Sequence, residues 1–339
     1  MRIAAPPNHR RRLLLAAAAV PALGACDKFR SLPPERGPIV AMFPGRVDDG
    51  GSIEAGYRGL LRVRDELGIP IRYVDDVAPQ EEAMKSALRE LADSNAKMVI
   101  AYGDQASAAA QRIAWEFPDQ RFTLIQGELL RPNLAIYEVL QEQSSWLAGA
   151  AAGLLTRANT VGHLAGLRTR PALQARAAFA GGLTYTNATA KLLTNFSGVR
   201  DDAAAAKRIA AAEIDAGADV VYIMLGADRS GAIEACRERG VKPIGSGRDW
   251  VAAMPEVFVA SAVADTGVAV LQLGRDLYDN IWKGDFTRRI GVRNAAAVRL
   301  ALAADVTEPI NARIALLTLE IAAGNIKIPG QYAGAEFSA

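Results

Sequence analysis

Short apolar runs rich in β-branched residues alternate with segments of helical length along most of this chain, and they do so in two rounds. The runs cover residues 39–43, 69–74, 98–102, 122–126, 161–164, 192–196, 220–225 and 258–263. Amphipathic or Ala-rich stretches lie between most of them, at 53–67, 81–93, 107–117, 202–216 and 232–239. This alternation is the pattern of a parallel sheet flanked by helices, because a parallel neighbour needs a crossover long enough to hold a helix. The runs are nearly continuous in apolar residues, as strands covered on both faces require. The first round spans roughly 38–136 and the second roughly 160–260, with an Ala- and Gly-rich helix candidate at 141–156 between them. The chain is therefore expected to be an α/β protein with two Rossmann-like lobes, parallel sheets and a hinge. Ligands of such sheets bind beyond the carboxyl ends of the strands, so the cleft between the lobes is the expected site.

An amphipathic helix at 268–282, a long β-prone run at 288–302, a helix at 309–323 and Ile326-Lys327-Ile328-Pro329 follow the second round. They are read as completing both lobes through further crossovers. The first lobe is expected at 38–136 plus about 265–287, and the second at 137–264 plus about 288–335.

The amino terminus carries an address. Arg10, Arg11 and Arg12 precede a short apolar run ending in Leu23-Gly24-Ala25-Cys26. The run is shorter than the roughly 20 residues a bilayer-spanning helix needs. The stretch resembles a bacterial lipoprotein export signal, which implies a signal peptide at 1–25 and acylation of Cys26, palmitate included. Each buried lipid methylene contributes about 0.8 kcal/mol, so several chains anchor durably. Residues 26–37, with Ser31, Pro33, Pro34 and Gly37 among charges, read as a tether. Asp27 resembles an inner-membrane retention cue, so the expected location is the cell envelope, on the inner membrane and facing the periplasm. The Arg-Arg-x-Leu-Leu pattern also resembles a twin-arginine signal, which leaves export folded or unfolded open. An uncut anchor is the blander alternative.

The first 25 residues hold four arginines and no acid, so the 39 basic residues of the whole chain fall to 35 against an unchanged 37 acids. No electrostatic footprint for nucleic acid remains. With Cys26 acylated, Cys236 has no partner and reads as a small core residue. Catalytic signatures are sparse. His163 lies inside an apolar run and reads as a core or rim residue. There is no Gly-x-Ser-x-Gly and no His/Cys/Glu cluster spaced for a metal. The loop from Phe43 to Ser52 is glycine-rich but lacks both G-x-G-x-x-G and a Walker lysine. No cofactor is expected.

Small polar residues stand at the strand ends. Tyr102-Gly103-Asp104, Gln126-Gly127-Glu128, Gly226-Ala227-Asp228-Arg229-Ser230 and Gly247-Arg248-Asp249-Trp250 each follow an apolar run. Glycine lets the backbone approach a ligand, and the next residue can donate at a helix amino end. Each end alone could equally be an ordinary helix cap; four in one alternating chain point to a site. The expected polar lining is Asp49, Ser52, Asp104, Gln126, Gly226, Asp228, Arg248 and Asp249. Tyr57, Tyr102, Trp146, Phe196 and Trp250 are candidates for stacking, and each could instead be core. Trp146 and Trp250 are the better wall residues, Trp146 because it sits at the inter-lobe crossover.

At these residues the chain resembles the basic membrane protein family of ABC-transporter substrate-binding lipoproteins, which includes purine nucleoside receptors. Residues 45–59 look like the family's segment after strand one, and Tyr102-Gly103-Asp104 like its Phe-Gly-Asp turn. Gln143-Ser144-Ser145-Trp146-Leu147-Ala148-Gly149 is similar to its crossover. Gly217-Ala218-Asp219-Val220-Val221, Ile244-Gly245 and residues 326–329 resemble its second lobe and closing segment. The resemblance implies a type I periplasmic binding fold that delivers a ligand to a membrane permease. In the nucleoside binders two phenylalanines sandwich the base. Here one falls on Ser52, followed by Ile53, and the other near Val199, with Phe196 close by. The ribose-holding acid falls on Gly247 and a lysine on Ala264, while Asp49 and Asp104 remain. A stacked base contributes about 1–3 kcal/mol, so nucleoside specificity does not carry over by itself.

The expected function is a lipid-anchored, monomeric receptor of an ABC importer. It would take a small polar solute, nucleoside-like or related, and Arg248 would suit a carboxylated or anionic one. Its partners would be the solute, the ABC permease and membrane lipid through Cys26. The rival readings are a ligand-sensing lipoprotein that docks on a membrane signalling protein and an α/β enzyme.

Overall fold

The computed structural model describes residues 37–198, 202–226 and 228–338. The expected signal peptide, Cys26, Asp27 and the tether up to residue 36 lie outside the described residues, as do 199–201 and Ala227.

β1 (Ile39–Met42) is buried throughout and leads through a glycine-rich loop into α1 (Ser52–Leu67). Asp49 starts that helix. Its Oδ1 accepts the backbone N–H groups of Gly51 (2.8 Å) and Glu54 (3.0 Å), two donors near the first turn. Gly68, at φ 65°, ends the helix in the left-handed region. β2 (Ile71–Val74), α2 (Glu81–Ala92), β3 (Met98–Tyr102), α3 (Ser107–Glu116), β4 (Phe122–Ile125) and β5 (Leu134–Val139) follow. α4 (Gln141–Leu155) carries the chain into a second lobe. There lie β6 (Thr160–Ala165), α5 (Arg170–Thr186), β7 (Lys191–Phe196), α6 (Ala203–Asp215), β8 (Val220–Met224) and α7 (Arg229–Glu238). β9 (Lys242–Gly247), α8 (Trp250–Ala253) and β10 (Ala260–Ala264) come next. α9 (Thr266–Tyr278) and β11 (Thr287–Ile290) return to the first lobe, and β12 (Val298–Leu302) and α10 (Glu308–Ala323) to the second.

The described strands form two six-stranded sheets, in the orders β11-β5-β4-β3-β1-β2 and β12-β10-β9-β8-β6-β7. The first is parallel throughout. In the second only β12 runs antiparallel, against β10. β1, β3, β4 and β10 are buried at every position, as the continuous apolar runs require. These are the two α/β lobes that the alternation predicts.

The β-prone run at 288–302 is two strands. Asn294 N–H donates to Gly291 O (2.8 Å) and Ala297 N–H to Asn294 O (2.9 Å), and this turn sends β11 and β12 into different sheets. The first sheet therefore reaches Val139 and Ile290, a few residues beyond the limits that alternation alone suggests. Among the described residues the chain passes between lobes three times: after β5, after β10 and between β11 and β12. The passages hold one another. Leu140 N–H donates to Ile290 O (2.9 Å), Asp265 N–H to Ala297 O (2.8 Å) and Val292 N–H to Gln143 Oε1 (2.7 Å). Such a tied bundle of short segments can rotate while resisting separation.

The Ala and Gly content has a packing cause. A Cβ on Gly149 would lie 1.9 Å from Phe179 O, and one on Gly182 1.9 Å from Trp146 O, so α4 and α5 cross backbone to backbone. Cys236 is buried in the second-lobe core, where burial pushes its thiol up to about 12. No helix among the described residues is long and apolar enough to cross a membrane.

Candidate functional site

Side chains at the carboxyl ends of the two sheets meet across the lobes. Arg170 opens α5 just after β6, in a first turn started by Thr169 and Pro171. Its Nε lies 3.1 Å from Asp104 Oδ1 and 3.2 Å from Glu128 Oε2, and its Nη1 3.7 Å from Glu138 Oε1. Its Nη2 also donates to Gly127 O at 3.4 Å. Asp104 follows β3, Glu128 follows β4 and Glu138 lies on β5, so one second-lobe guanidinium spans three neighbouring strands of the first lobe. Arg289 holds Glu138 from β11 at 3.3 Å. Burial, and after it the Glu138 charge, raises the pKa of Glu142 above the usual carboxylate range.

A second bridge stands at α7. Arg229 donates from Nη2 to Gly50 O in the first lobe (3.1 Å) and from Nε to Gly226 O (2.8 Å). The residue is 6% exposed, and burial lowers its pKa to about 10 while Asp49 and Asp228 pull the other way. Its Cζ is 4.2 Å from the centroid of Trp250, and that of Arg248 is 4.6 Å away, so two guanidiniums pack on one indole. A groove of about 700 Å³ opens here between the Asp48-Asp49-Gly50 loop and the α7–Trp250 side of the second lobe.

Several expected residues stand at this junction. Asp49 lines the groove while its carboxylate caps α1. Ser52 is exposed at the start of α1. A Cβ on Gly226 would lie 3.8 Å from Asp49 O, which places the two loops against each other. Asp228 is 4% exposed at the N-cap of α7. Arg248 lies over Trp250. Asp249 caps α8 by accepting Ala252 N–H (3.0 Å) and pairs with Arg299 (2.9 Å).

Four others do not offer a free surface to the cleft. Tyr102 is 2% exposed under α1, and its hydroxyl bonds Ser52 O and Thr266 Oγ1 (2.6 Å). Gln126, at φ 64°, spends its side-chain amide on the backbone of Val139, donating to its O at 3.2 Å and accepting from its N–H. Trp146 is 1% exposed; its helical phase turns it towards Tyr185 on α5 and a groove under the carboxyl-terminal segment. Phe196 does end a strand, but Arg168 and Arg176 lie over its ring, at 4.7 and 4.9 Å.

Arg170 and Arg229 are absent from the sequence-based candidates. Arg229 adjoins Asp228 in the same strand-end motif, where the capping residue drew the reading. His163 is fully buried, bonded through Nδ1 to Thr194 Oγ1 (2.9 Å) and packed on Phe179, Phe196 and Tyr222. Burial pushes its pKa down to about 3, so it is neutral. Among the described residues no group of three or more His, Cys, Asp or Glu is placed to hold a metal ion.

Known proteins share this architecture. An uncharacterized lipoprotein of Pyrococcus abyssi is 26% identical over 250 residues, 68% of this chain and 61% of the relative. Basic membrane protein A of Borreliella burgdorferi is 23% identical over 252 residues, 73% of this chain and 74% of that protein. The chain thus spans about three fifths of the length of the first of these relatives. A solute-binding protein of an ABC transporter system from Aeropyrum pernix K1 superposes with a TM-score of 0.75 at 19% identity, covering 86% of this chain and 94% of that one. At that identity the likeness concerns the fold, the two-lobe type I periplasmic binding architecture. The pattern of the Bmp family, ABC transporter substrate-binding proteins described as PnrA-like, matches residues 38–329, and the chain belongs to that family.

Proposed function

We propose that this chain is a lipid-anchored solute receptor of an ABC importer, holding a small polar solute between its lobes. The carrying observation is the pair of inter-lobe bridges, Arg170 to Asp104 and Arg229 to Gly50, at the carboxyl ends of both sheets. Ligand contacts on both lobes shift such a hinged pair towards the closed form, the form a permease would recognise. Asp49, Ser52, Asp104, Gly226, Asp228, Arg248 and Asp249 would line the site, with Arg170 and Arg229 making the closure. No bond is made or broken in this role. The polar character of these groups favours a nucleoside-like solute or a related metabolite over an apolar one.

The rest of the reading draws on residues 1–37. Acylated Cys26 would hold a monomeric receptor in the cell envelope, facing the periplasm, and the tether would keep it near its permease at high effective concentration. The lipoprotein name of the Pyrococcus relative supports this location.

Mass spectrometry of solute that co-purifies with the protein, followed by thermal-shift titration with nucleosides and small organic acids, tests the receptor. Stabilisation by at least one class is expected; stabilisation by neither counts against it. Transport is told from sensing by the adjoining genes: permease and ATPase genes fit import, a kinase gene fits a sensor.

A further inference from the structure

The carboxyl-terminal tail lies across the end of the second sheet. Phe337 N–H donates to Thr194 O (2.8 Å), and Phe337 O accepts from Asn195 Nδ2 (2.7 Å), so the tail docks on the edge strand β7. Glu336, beside it, is held by two arginines. Its Oε1 accepts from Arg168 Nη1 (2.7 Å) and Arg176 Nη1 (2.5 Å), and its Oε2 accepts from Arg168 Nη2. Arg168 follows β6, two residues before the inter-lobe bridge at Arg170, and Arg176 lies on α5. The rings of Phe196 and Tyr332 pack against these guanidiniums, Tyr332 at 4.8 Å from Arg176 Cζ.

This is a costly arrangement to leave empty. Arg176 is 8% exposed, and its Nε has no hydrogen-bond partner among the described residues. A buried guanidinium needs an anion. Two cationic groups here share one carboxylate, so a doubly charged anion would match them better. The chain supplies that carboxylate from the stretch after α10, whose described residues form no helix or strand and can come away without unfolding either sheet.

We infer that Arg168, Arg176 and Phe196 form an anion-binding subsite at the edge of the cleft, which the tail's Glu336 occupies until a solute carrying a carboxylate or phosphate displaces it. The placement of this subsite in a ligand cleft rests on the receptor reading above. The tail then acts as a tethered competitor at an effective concentration on the order of millimolar. A solute that reaches both arginines frees Phe337 from β7 as it binds.

Calorimetric titration of the full chain with succinate and with inorganic phosphate tests this. Glu336→Gln is expected to bind at least one of the two anions tenfold or more tightly than the unmodified chain. Adding Arg168→Met to Glu336→Gln should abolish the gain; Arg168 is half exposed, and the Phe196 ring it covers is also covered by Arg176, which the variant keeps. Equal affinities, no binding to either form, or a gain that survives Arg168→Met would overturn the subsite. The unmodified chain gives a second measurement. Amide exchange at Phe337 should quicken in saturating succinate or phosphate, and exchange unchanged by both also overturns it. Solute that co-purifies with a chain showing no anion response keeps the receptor and removes the subsite. Anion binding by Glu336→Gln in a chain that holds no solute of any other class does the reverse.

Discussion

Arg170 Nε sits 3.1 Å from Asp104 Oδ1, and the two residues belong to opposite lobes. Glu128 and Glu138 share the same guanidinium, so a positive charge of the second lobe rests among carboxylates of the first. The pairing draws the two lobes together at the carboxyl ends of their sheets, and a solute bound there would add its own contacts to it.

Arg170→Met keeps the length of the side chain and removes its charge. A partly exposed ion pair contributes about 1 kcal/mol, which shifts a closing equilibrium about fivefold. The variant should show a larger radius of gyration by small-angle scattering. In the unmodified chain the radius should grow with added salt, which screens the pair, and in the variant this response should vanish. An unchanged radius and identical salt responses would remove Arg170 from the closing step.

The fold was largely legible in the sequence because its signals are local. Buried parallel strands read as apolar runs, and helices such as α1 carry an apolar stripe. The helix at Arg170–Thr186 escaped because Gly181 and Gly182 break its pattern, and those glycines are set by partners outside the helix, Gly181 by Pro329 and Gly182 by the backbone of α4. The site was legible by position only. Strand-end motifs singled out Asp104 and Asp228, and the loop after the first run Asp49, but the pairings that give the junction its character join Arg170 to Asp104 and Arg229 to Gly50 across 66 and 179 residues. Trp146 was misjudged for a related reason: its place at the crossover is readable, whereas the direction its helix turns it is not.

Two buried groups in the second lobe give stability opposite pH dependences. His163 has its pKa depressed to about 3 by burial, while the unfolded chain takes up that proton near the ordinary value of about 6.5. Its contribution is full above about 6.5 and is lost as pH falls towards 3, at about 1.4 kcal/mol per pH unit. Glu213 is fully buried beneath Gly162, and burial raises its pKa well above the ordinary range. Its contribution is full below the unfolded value and is lost as pH rises through the folded one. Urea unfolding from pH 4 to 8 should show a shallower acid limb for His163→Gln. The stability of Glu213→Gln relative to the unmodified chain should improve steadily with pH. Parallel pH profiles for all three proteins would contradict both assignments.

The α4–α5 crossing sets a steric test. A Cβ on Gly182 meets Trp146 O at 1.9 Å, and backbone cannot yield as a side-chain tip can. Gly182→Ala should cost about 3 kcal/mol, the upper end for overpacking. Gly240, at φ +67° with open space around it, is the control. Gly240→Ala should cost only about 1 kcal/mol, from backbone strain. Equal losses in urea midpoints would mean that the helices can part at little cost.

Arg229 offers the sharpest separation of closing from folding. One planar group donates across the cleft to Gly50 O and within its own lobe to Gly226 O, while its face lies on Trp250. Lysine keeps the charge but has neither the fork nor the flat face. Gly226 O also accepts the backbone N–H of Arg229 (3.2 Å), a bond the substitution leaves in place, whereas lysine cannot reproduce the forked reach to Gly50. A lost hydrogen bond from a charged donor costs about 1.5 kcal/mol or more. Arg229→Lys should therefore bind the co-purifying solute about tenfold more weakly by calorimetry. Its urea midpoint should move less than that of Gly182→Ala. If the midpoint collapses while affinity holds, Arg229 serves the second-lobe core alone, and Arg170 is left as the polar link between the lobes that responds to solute.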